Sequence, residues 1–393
     1  MSRTIVFATP IALAQVALLL FAGGAAAEPD ERVTVHTSYG FLKDDNWIIP
    51  LRLWVHEEPD ILPRVAADAI KDRLMATAGL ESLSFEQEAL FHERSFGFIA
   101  DNESDEFPLL RFTDDPQQRT YQLPVDADER GTDGNGLSEG LLTIPVSAVG
   151  ELLAAQESDD GWLDLEVVSD GHAGSGSVRL INAQGLSVIS DIDDTIKVTD
   201  ILGGHGPVIY NTFFRTFEAA PCMPALYQSL GSEVPVHYVS GGPWQLYQPI
   251  SDFITSDESG YPNGSFHMKN VRTNLFESET YEDLSNLLGG SDEMTFNQKL
   301  EQIATLLRRF PDRRFLLVGD SGERDPEIFG EIRRQHPQQI ADIWIRDVAN
   351  DDSANPDRLR GMRIIPSQVV DPAECDALLS RLQLGQQAQA TTL

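Results

Sequence analysis

The sequence predicts an α/β domain built on a parallel sheet, preceded by a smaller β-rich, sandwich-like domain. Two observations carry that prediction. After Gly185, short apolar runs alternate with helical stretches, the pattern of βαβ units. Before it, short runs of β-branched and aromatic residues follow one another between polar, glycine-rich turns, interrupted by one helix. A chain of 393 residues is also long for one core, since single cores stop growing at about 250–300 residues.

Taken in order, residues 1–27 have the form of a cleaved secretory signal. Arg3 gives the basic start, residues 5–21 are an almost uncharged apolar run, and Ala25-Ala26-Ala27 precedes Glu28. The run approaches spanning length, so a retained anchor is the competing reading. Pro10, Gly23-Gly24 and the small-residue exit favour cleavage, hence an exported protein, periplasmic or secreted. Residues 28–184 read as the β-rich domain, an antiparallel sandwich with strands at 33–36, 48–56, 141–146, 162–168 and 178–181 and a helix at 65–76. Turns are expected at 128–136 and 169–176. Residues 185–372 read as the parallel-sheet domain. Its strands fall at 186–190, 236–240, 266–269, 315–319 and 343–346, and its helices at 224–230, 244–254, 295–310 and 326–335. Residues 373–393 form a polar tail, expected to be disordered from Gly385 onward.

Composition narrows the partners. Asp and Glu outnumber Lys and Arg by 62 to 29, giving a net charge of −33; loss of the leader removes Arg3 alone and leaves −34. Only five basic residues are lysine: Lys43, Lys71, Lys197, Lys269 and Lys299. Such a surface suits a salty exterior, where screening shortens to ~3 Å at 1 M, although plain solubility explains it too. It excludes nucleic acid, whose phosphates call for clustered Lys and Arg. Cys222 and Cys375 are the only cysteines. An exported chain permits them to pair, and the sequence leaves open whether they are close. Oligomeric state is likewise open.

The first strand of the parallel sheet runs into Asp191-Ile192-Asp193-Asp194-Thr195. A calcium-binding EF-hand loop would place glycine at 196 and glutamate at 202, where the chain has Ile196 and Leu202. A solvated turn and a phosphoryl-transfer site remain. In the latter, two carboxylates two residues apart serve as nucleophile and acid/base. Further along, Ser240-Gly241-Gly242 closes a strand, offering a hydroxyl and open N–H groups to phosphate oxygens, or simply capping a helix. Lys299 sits within a helical stretch. Asp320 and Asp325, five apart around Gly322 at another strand exit, suit a Mg²⁺ ion, or a helix cap at Asp325.

In this order the four pieces resemble the haloacid-dehalogenase phosphatase superfamily, with its Rossmann-like catalytic domain. More narrowly, they resemble the actin-patch-associated phosphatidate phosphatase family over about residues 177–371. The narrower likeness rests on Ile189 to Lys197, on Tyr238-Val239-Ser240 with Pro243 to Tyr247, and on Gly319 to Glu327. It implies Asp191 as nucleophile and Mg²⁺ ligand, and Asp193 as acid/base with its carbonyl on the metal. Thr195 would hold the motif's geometry, and Ser240 with the Gly241 amide would bind the phosphoryl group. Lys299 would neutralise it, Asp320 would ligate Mg²⁺, and Asp325 would orient the metal's waters. The family usually carries Asn-Ser where this chain has Gly241-Gly242, and glycine where it has Cys222. The segment 197–221 is expected to form a flap, with His205 a loop residue of no assigned role.

The expected function is Mg²⁺-dependent hydrolysis of a phosphomonoester through an aspartyl-phosphate. Phosphatidate or a related lipid phosphate is the implied substrate, reached by peripheral membrane contact. A soluble or envelope phosphomonoester is the alternative, and a silent scaffold used for binding is the third reading.

Overall fold

The computed structural model describes residues 31–59, 61–123, 131–270, 293–369 and 371–390. The expected leader at 1–27, part of the expected turn at 128–136 and the last three residues of the tail lie outside them.

The first ten strands are β1 (Glu31–Val35), β2 (Ser38–Lys43), β3 (Asn46–Glu57), β4 (Asp101–Asn102), β5 (Leu109–Phe112), β6 (Tyr121–Gln122), β7 (Leu137–Pro145), β8 (Trp162–Val167), β9 (His172–Ala173) and β10 (Ser175–Leu180). They join in one sheet of order β6-β5-β8-β10-β2-β3-β1-β9, with β4 and β7 also paired to β3. Most ladders are antiparallel, but β1–β9 and β10–β2 are parallel. This corrects the expected all-antiparallel pairing to a mixed one: β2 pairs with both β3 and β10, linking all ten strands. Alternation reports which face of a strand is buried and says nothing of its neighbours. On β3 that alternation sends Trp47, Ile49, Leu51 and Leu53 into a core shared with Leu163, Leu165 and Val178.

Two helices of this half leave its sheet and pack on the other. The helix Ile61–Ala78 covers the expected 65–76. The helix Phe85–Ile99 was not expected, although Ser84 and Gln87 spell a capping box: Ser84 Oγ accepts from the Gln87 amide at 3.2 Å, and Gln87 Oε1 from the Ser84 amide at 2.9 Å. From this second helix Phe91 stacks on Phe214 at 5.7 Å, and buried Arg94 donates to the Thr212 carbonyl at 2.7 Å. Tyr39 of β2 meets His237 edge-on at 5.2 Å. The two halves of the chain therefore share their cores.

The second sheet holds β11 (Gly185–Ser190), β12 (Val236–Pro243), β13 (Gly264–Lys269), β14 (Arg313–Asp320), β15 (Ile340–Asp347) and β16 (Arg363–Pro366). Its order is β13-β12-β11-β14-β15-β16, every ladder parallel. The middle strands are continuous apolar runs, Phe315-Leu316-Leu317-Val318 being fully buried, as strands covered on both faces must be. The chain enters at β11, builds to one edge, and returns to the other side through β14. In such sheets the crevice for a ligand opens at the carboxyl ends where the order reverses, here between β11 and β14.

Cys222 and Cys375 form a disulfide, Cα to Cα 5.6 Å, closing 153 residues of sequence separation. Cys222 has φ +66°, a conformation that glycine adopts freely and that accounts for the family's usual glycine there. The bridge holds the helix Pro372–Ala390, with Leu378 and Leu382 buried in the main core. The helix runs to Ala390, where disorder was expected from Gly385. Cys375→Ser is expected to lower the unfolding free energy by about 2–5 kcal/mol, measured by urea denaturation. Titration of the denatured, unreduced parent should find no free thiol. Among the described residues no helix is long and apolar enough to cross a membrane.

Candidate active site

Three strands of the parallel sheet deliver the predicted residues to one crevice. Asp191 follows the last residue of β11, Ser240 lies near the end of β12, and Asp320 ends β14. Thr195 Oγ1 donates to Asp191 Oδ2 at 3.1 Å, fixing the first carboxylate from within its own loop. Lys299, on the helix Glu293–Arg309, reaches in from above. Its Nζ donates to Asp191 Oδ1 at 2.7 Å, Glu323 Oε2 at 2.8 Å and Asp325 Oδ1 at 3.0 Å. That helix can approach because residue 241 is glycine: a Cβ there would lie 2.6 Å from Thr295 Cγ2. Gly319 does the same for Asp325, whose Oδ2 would sit 2.3 Å from its Cβ.

Asp193 occupies the adjoining wall. Its Oδ1 accepts from Lys197 Nζ at 2.7 Å and from Thr199 Oγ1 at 2.6 Å, while Oδ2 is 3.5 Å from Ser240 Oγ. Burial alone would raise this carboxyl; Lys197 and Thr199 overcome it and hold Asp193 below its ordinary range. Ser240 Oγ in turn accepts the amide of Gly242, at 2.9 Å. Asp194, the fourth residue of the motif, turns away from the crevice and ties the following loop. It accepts the amides of Thr199, Asp200 and Ile201 at 2.9, 2.8 and 2.7 Å.

Electrostatically the crevice is lopsided. Asp191, Asp320, Glu323 and Asp325 are all buried, and among the described residues the lysine that reaches this group is Lys299. Burial pushes Asp191 well above the usual carboxylate range, Lys299 opposing and Asp325, Glu323 and Asp193 adding to the effect. Burial, then Asp325, Asp191 and Glu323, do the same to Asp320. Burial raises Glu323 to about 7 despite Lys299. Burial works against the Lys299 ammonium, but the three carboxylates win and hold it well above its ordinary value.

This arrangement fits a divalent cation. Oxygens of Asp191, Glu323 and Asp325 lie within 4.8 Å of one another. Asp320 accepts the amides of Gly322 and Glu323 on Oδ1, at 2.6 and 3.2 Å, while its buried Oδ2 has no hydrogen-bond partner among the described residues. An orphaned carboxylate oxygen beside an excess of buried negative charge, with oxygen donors only, matches a hard ion such as Mg²⁺.

Asp191, Thr195, Lys299 and Asp325 are thus brought into direct contact around one point, and Asp193 and Ser240 face each other beside it. Asp320 joins through its own amide, which lies 3.3 Å from Asp325 Oδ2. Gly241 lies against Thr295, and the amide that donates to Ser240 Oγ is that of Gly242. His205 is exposed at the start of a short helix, His205–Ile209, whose Val208 and Ile209 are buried, within the expected flap. Sequence reasoning missed three contributors. Glu323 stood unread between Asp320 and Asp325, and Lys197 and Thr199 four and six residues after Asp193. Their signal was charge and hydroxyl spacing about a strand exit, common on any acidic surface.

An α/β protein with a lysine-bridged carboxylate centre at the switch of a parallel sheet is what fold and site define. Residues 186–347 match the family model described as the catalytic domain of phosphatidate phosphatase APP1, within the span of the resemblance read from the motifs. The chain is 31% identical to the phosphatidate phosphatase APP1 of Saccharomyces cerevisiae over 202 residues, 49% of this chain and 32% of that protein. It is 26% identical to an uncharacterized protein of Schizosaccharomyces pombe over 348 residues, 82% of this chain and 52% of that one, so this likeness extends into the β-rich half. The chain spans about half of one relative and a third of the other. A solved carbohydrate esterase aligns with 89% of this chain and 97% of its own at 9% identity and a TM-score of 0.24, too low to establish a shared fold.

Proposed function

We propose that this chain is an exported, Mg²⁺-dependent phosphatase of the haloacid-dehalogenase type that acts on phosphatidate or a related lipid phosphate. The observation that carries the reading is the buried Asp191–Lys299 contact, with Thr195, Glu323 and Asp325 around it, at the carboxyl end of the central parallel strand. The match to the APP1 catalytic domain supports the substrate class. The proposed division of the chain is a leader at 1–27, a β-rich domain at 28–184, a catalytic domain at 185–372 and a tail at 373–393.

An Asp191 oxygen attacks phosphorus in line, and the bond to the ester oxygen breaks. Asp193 donates its proton to that oxygen, so an alcohol leaves and an aspartyl-phosphate remains. Asp193 then takes a proton from water, whose oxygen attacks phosphorus and frees Asp191 and phosphate. Without substrate Asp193 is held ionised by Lys197 and Thr199; an arriving phosphate dianion raises its pKa toward the protonated state the first step needs. Ser240 Oγ and the Gly241 amide grip phosphoryl oxygens, and Lys299 offsets their charge. Asp191, the Asp193 carbonyl, Asp320 and Asp325 would hold Mg²⁺, with Glu323 placed to assist. When bound, the ion stabilises charge on the phosphoryl oxygens and keeps Asp191 ionised.

EDTA is expected to abolish phosphate release and Mg²⁺ to restore it; full activity after exhaustive chelation overturns the metal requirement. A soluble phosphomonoester is the second reading, favoured by the net charge of −33, which opposes approach to an anionic bilayer. Salt separates the two. As the Debye length falls from ~10 Å at 0.1 M to ~3 Å at 1 M, the ratio of activity on phosphatidate vesicles to activity on glycerol phosphate should rise, through a lower apparent KM. A flat ratio, or no vesicle activity, points to the soluble substrate.

A further inference from the structure

A second cavity, of about 330 Å³, lies between the two halves of the chain and is not part of the phosphate crevice. Its walls are aromatic: Trp54 of β3, Phe96 of the helix Phe85–Ile99, His36 just after β1, and Trp244 and Tyr247 from the turn after β12. The walls are fixed in place. Trp54 meets Trp244 edge-on at 5.2 Å, and His36 stacks on Tyr247 at 3.9 Å. The Tyr247 hydroxyl accepts the buried amide of Thr37 at 2.8 Å. Gly97 lets its helix lie directly on the Gln245 carbonyl, which a Cβ would approach to 2.2 Å.

Like the catalytic crevice this cavity is lined by carboxylates, but its lining carries no cation. Glu58, Glu93 and Asp252 line it, and no lysine or arginine does. Asp252 is exposed, and among the described residues its side chain is hydrogen-bonded to the Gln248 side-chain amide, at 2.8 Å, and to no cation. Burial raises its carboxyl above the ordinary value, Gln248 opposing. An anion such as phosphate is unwelcome here. Two wall residues also carry an unmet nitrogen: the buried Trp244 Nε1 and His36 Nε2 have no hydrogen-bond partner among the described residues. Indole N–H can only donate, so the occupant needs an acceptor oxygen.

We propose that this cavity binds a small organic cation of the alkylammonium class that also bears an oxygen acceptor, such as an amino alcohol or a betaine. Aromatic faces attract an ammonium through the ring quadrupole, most strongly when it is withdrawn from water, and the carboxylates add attraction of the same sign. The site is independent of the phosphatase chemistry, and neither Glu93 nor Asp252 belongs to that machinery.

Trp54 and Trp244 make the test optical. Choline chloride, against matched sodium chloride, is titrated into the full chain while tryptophan emission is followed, and 3,3-dimethyl-1-butanol serves as the neutral isostere. Choline should give a saturable change, with the isostere at least about tenfold weaker. A Glu93→Gln/Asp252→Asn variant should weaken choline by about tenfold and leave the isostere unchanged, with circular dichroism and phosphate release as checks on folding. No saturable response up to about 100 mM choline overturns the proposal. So does equal binding of the isostere, which makes the cavity an apolar site, or a variant that binds choline as the parent does.

Discussion

Asp191→Asn is expected to lower phosphate release by at least about 10³-fold while leaving the protein at least as stable as the parent. The two effects arise from the same carboxylate. As nucleophile Asp191 has no substitute in the crevice: Asp193 is turned to Lys197 and Thr199, and Glu323 and Asp325 are paired with Lys299. Asparagine keeps the volume; its Oδ1 can accept from Lys299 while its Nδ2 donates to the Thr195 hydroxyl. It also removes one negative charge from a buried group whose members already raise one another's pKa. Loss of repulsion therefore offsets loss of the ion pair with Lys299, which keeps two other carboxylates. Phosphate release and urea denaturation, both measured in EDTA and in Mg²⁺, decide it. A folded variant with near-parental turnover removes Asp191 from the chemistry, and a large fall in metal-free stability shows the ion pair to outweigh the repulsion.

How far the site was legible follows from where its parts sit. Parallel strands covered on both faces are uninterrupted apolar runs, so 186–190 and 315–319 stood out, and the carboxylates at their exits stood out with them. The strand limits moved by no more than a few residues at each end. Lys299 is different. It lies on a helix of mixed polarity, and nothing local marks it as buried; the family resemblance singled it out. Glu323 was illegible for the converse reason, because an acidic loop of an acidic protein reads as solvated until its burial is seen. In the β-rich half the strands were partly legible, but their pairing depends on partners far apart in sequence, such as Val178 with Ser38. The helix Phe85–Ile99 was missed despite its capping box. Its apolar residues answer to Phe213 and Phe214, which lie beyond any local window.

Lys299→Met should produce the largest loss of stability available to a single substitution in the crevice. Methionine keeps much of the aliphatic stem, so the change chiefly deletes the ammonium shared by Asp191, Glu323 and Asp325. Removing one partner of a buried ionic cluster costs about 3–5 kcal/mol, because the remaining charges are left uncompensated. The cost depends on pH, and its sign can be worked out. Burial and its neighbours hold Glu323 near 7 in the folded protein, above the 4.5 of a free side chain. Between those values the folded state binds more protons than the unfolded state, so this group's contribution to stability falls as pH rises through the window. Without Lys299 the folded pKa moves higher and the fall steepens. In EDTA the difference in unfolding free energy between parent and variant should therefore be large at pH 8 and smaller at pH 5. Mg²⁺ at pH 8 should recover part of it, since a divalent cation replaces the lost positive charge. Equal losses at both pH values would mean that the lysine acts through packing alone, leaving the carboxylates without the electrostatic tension on which the proposed metal site depends.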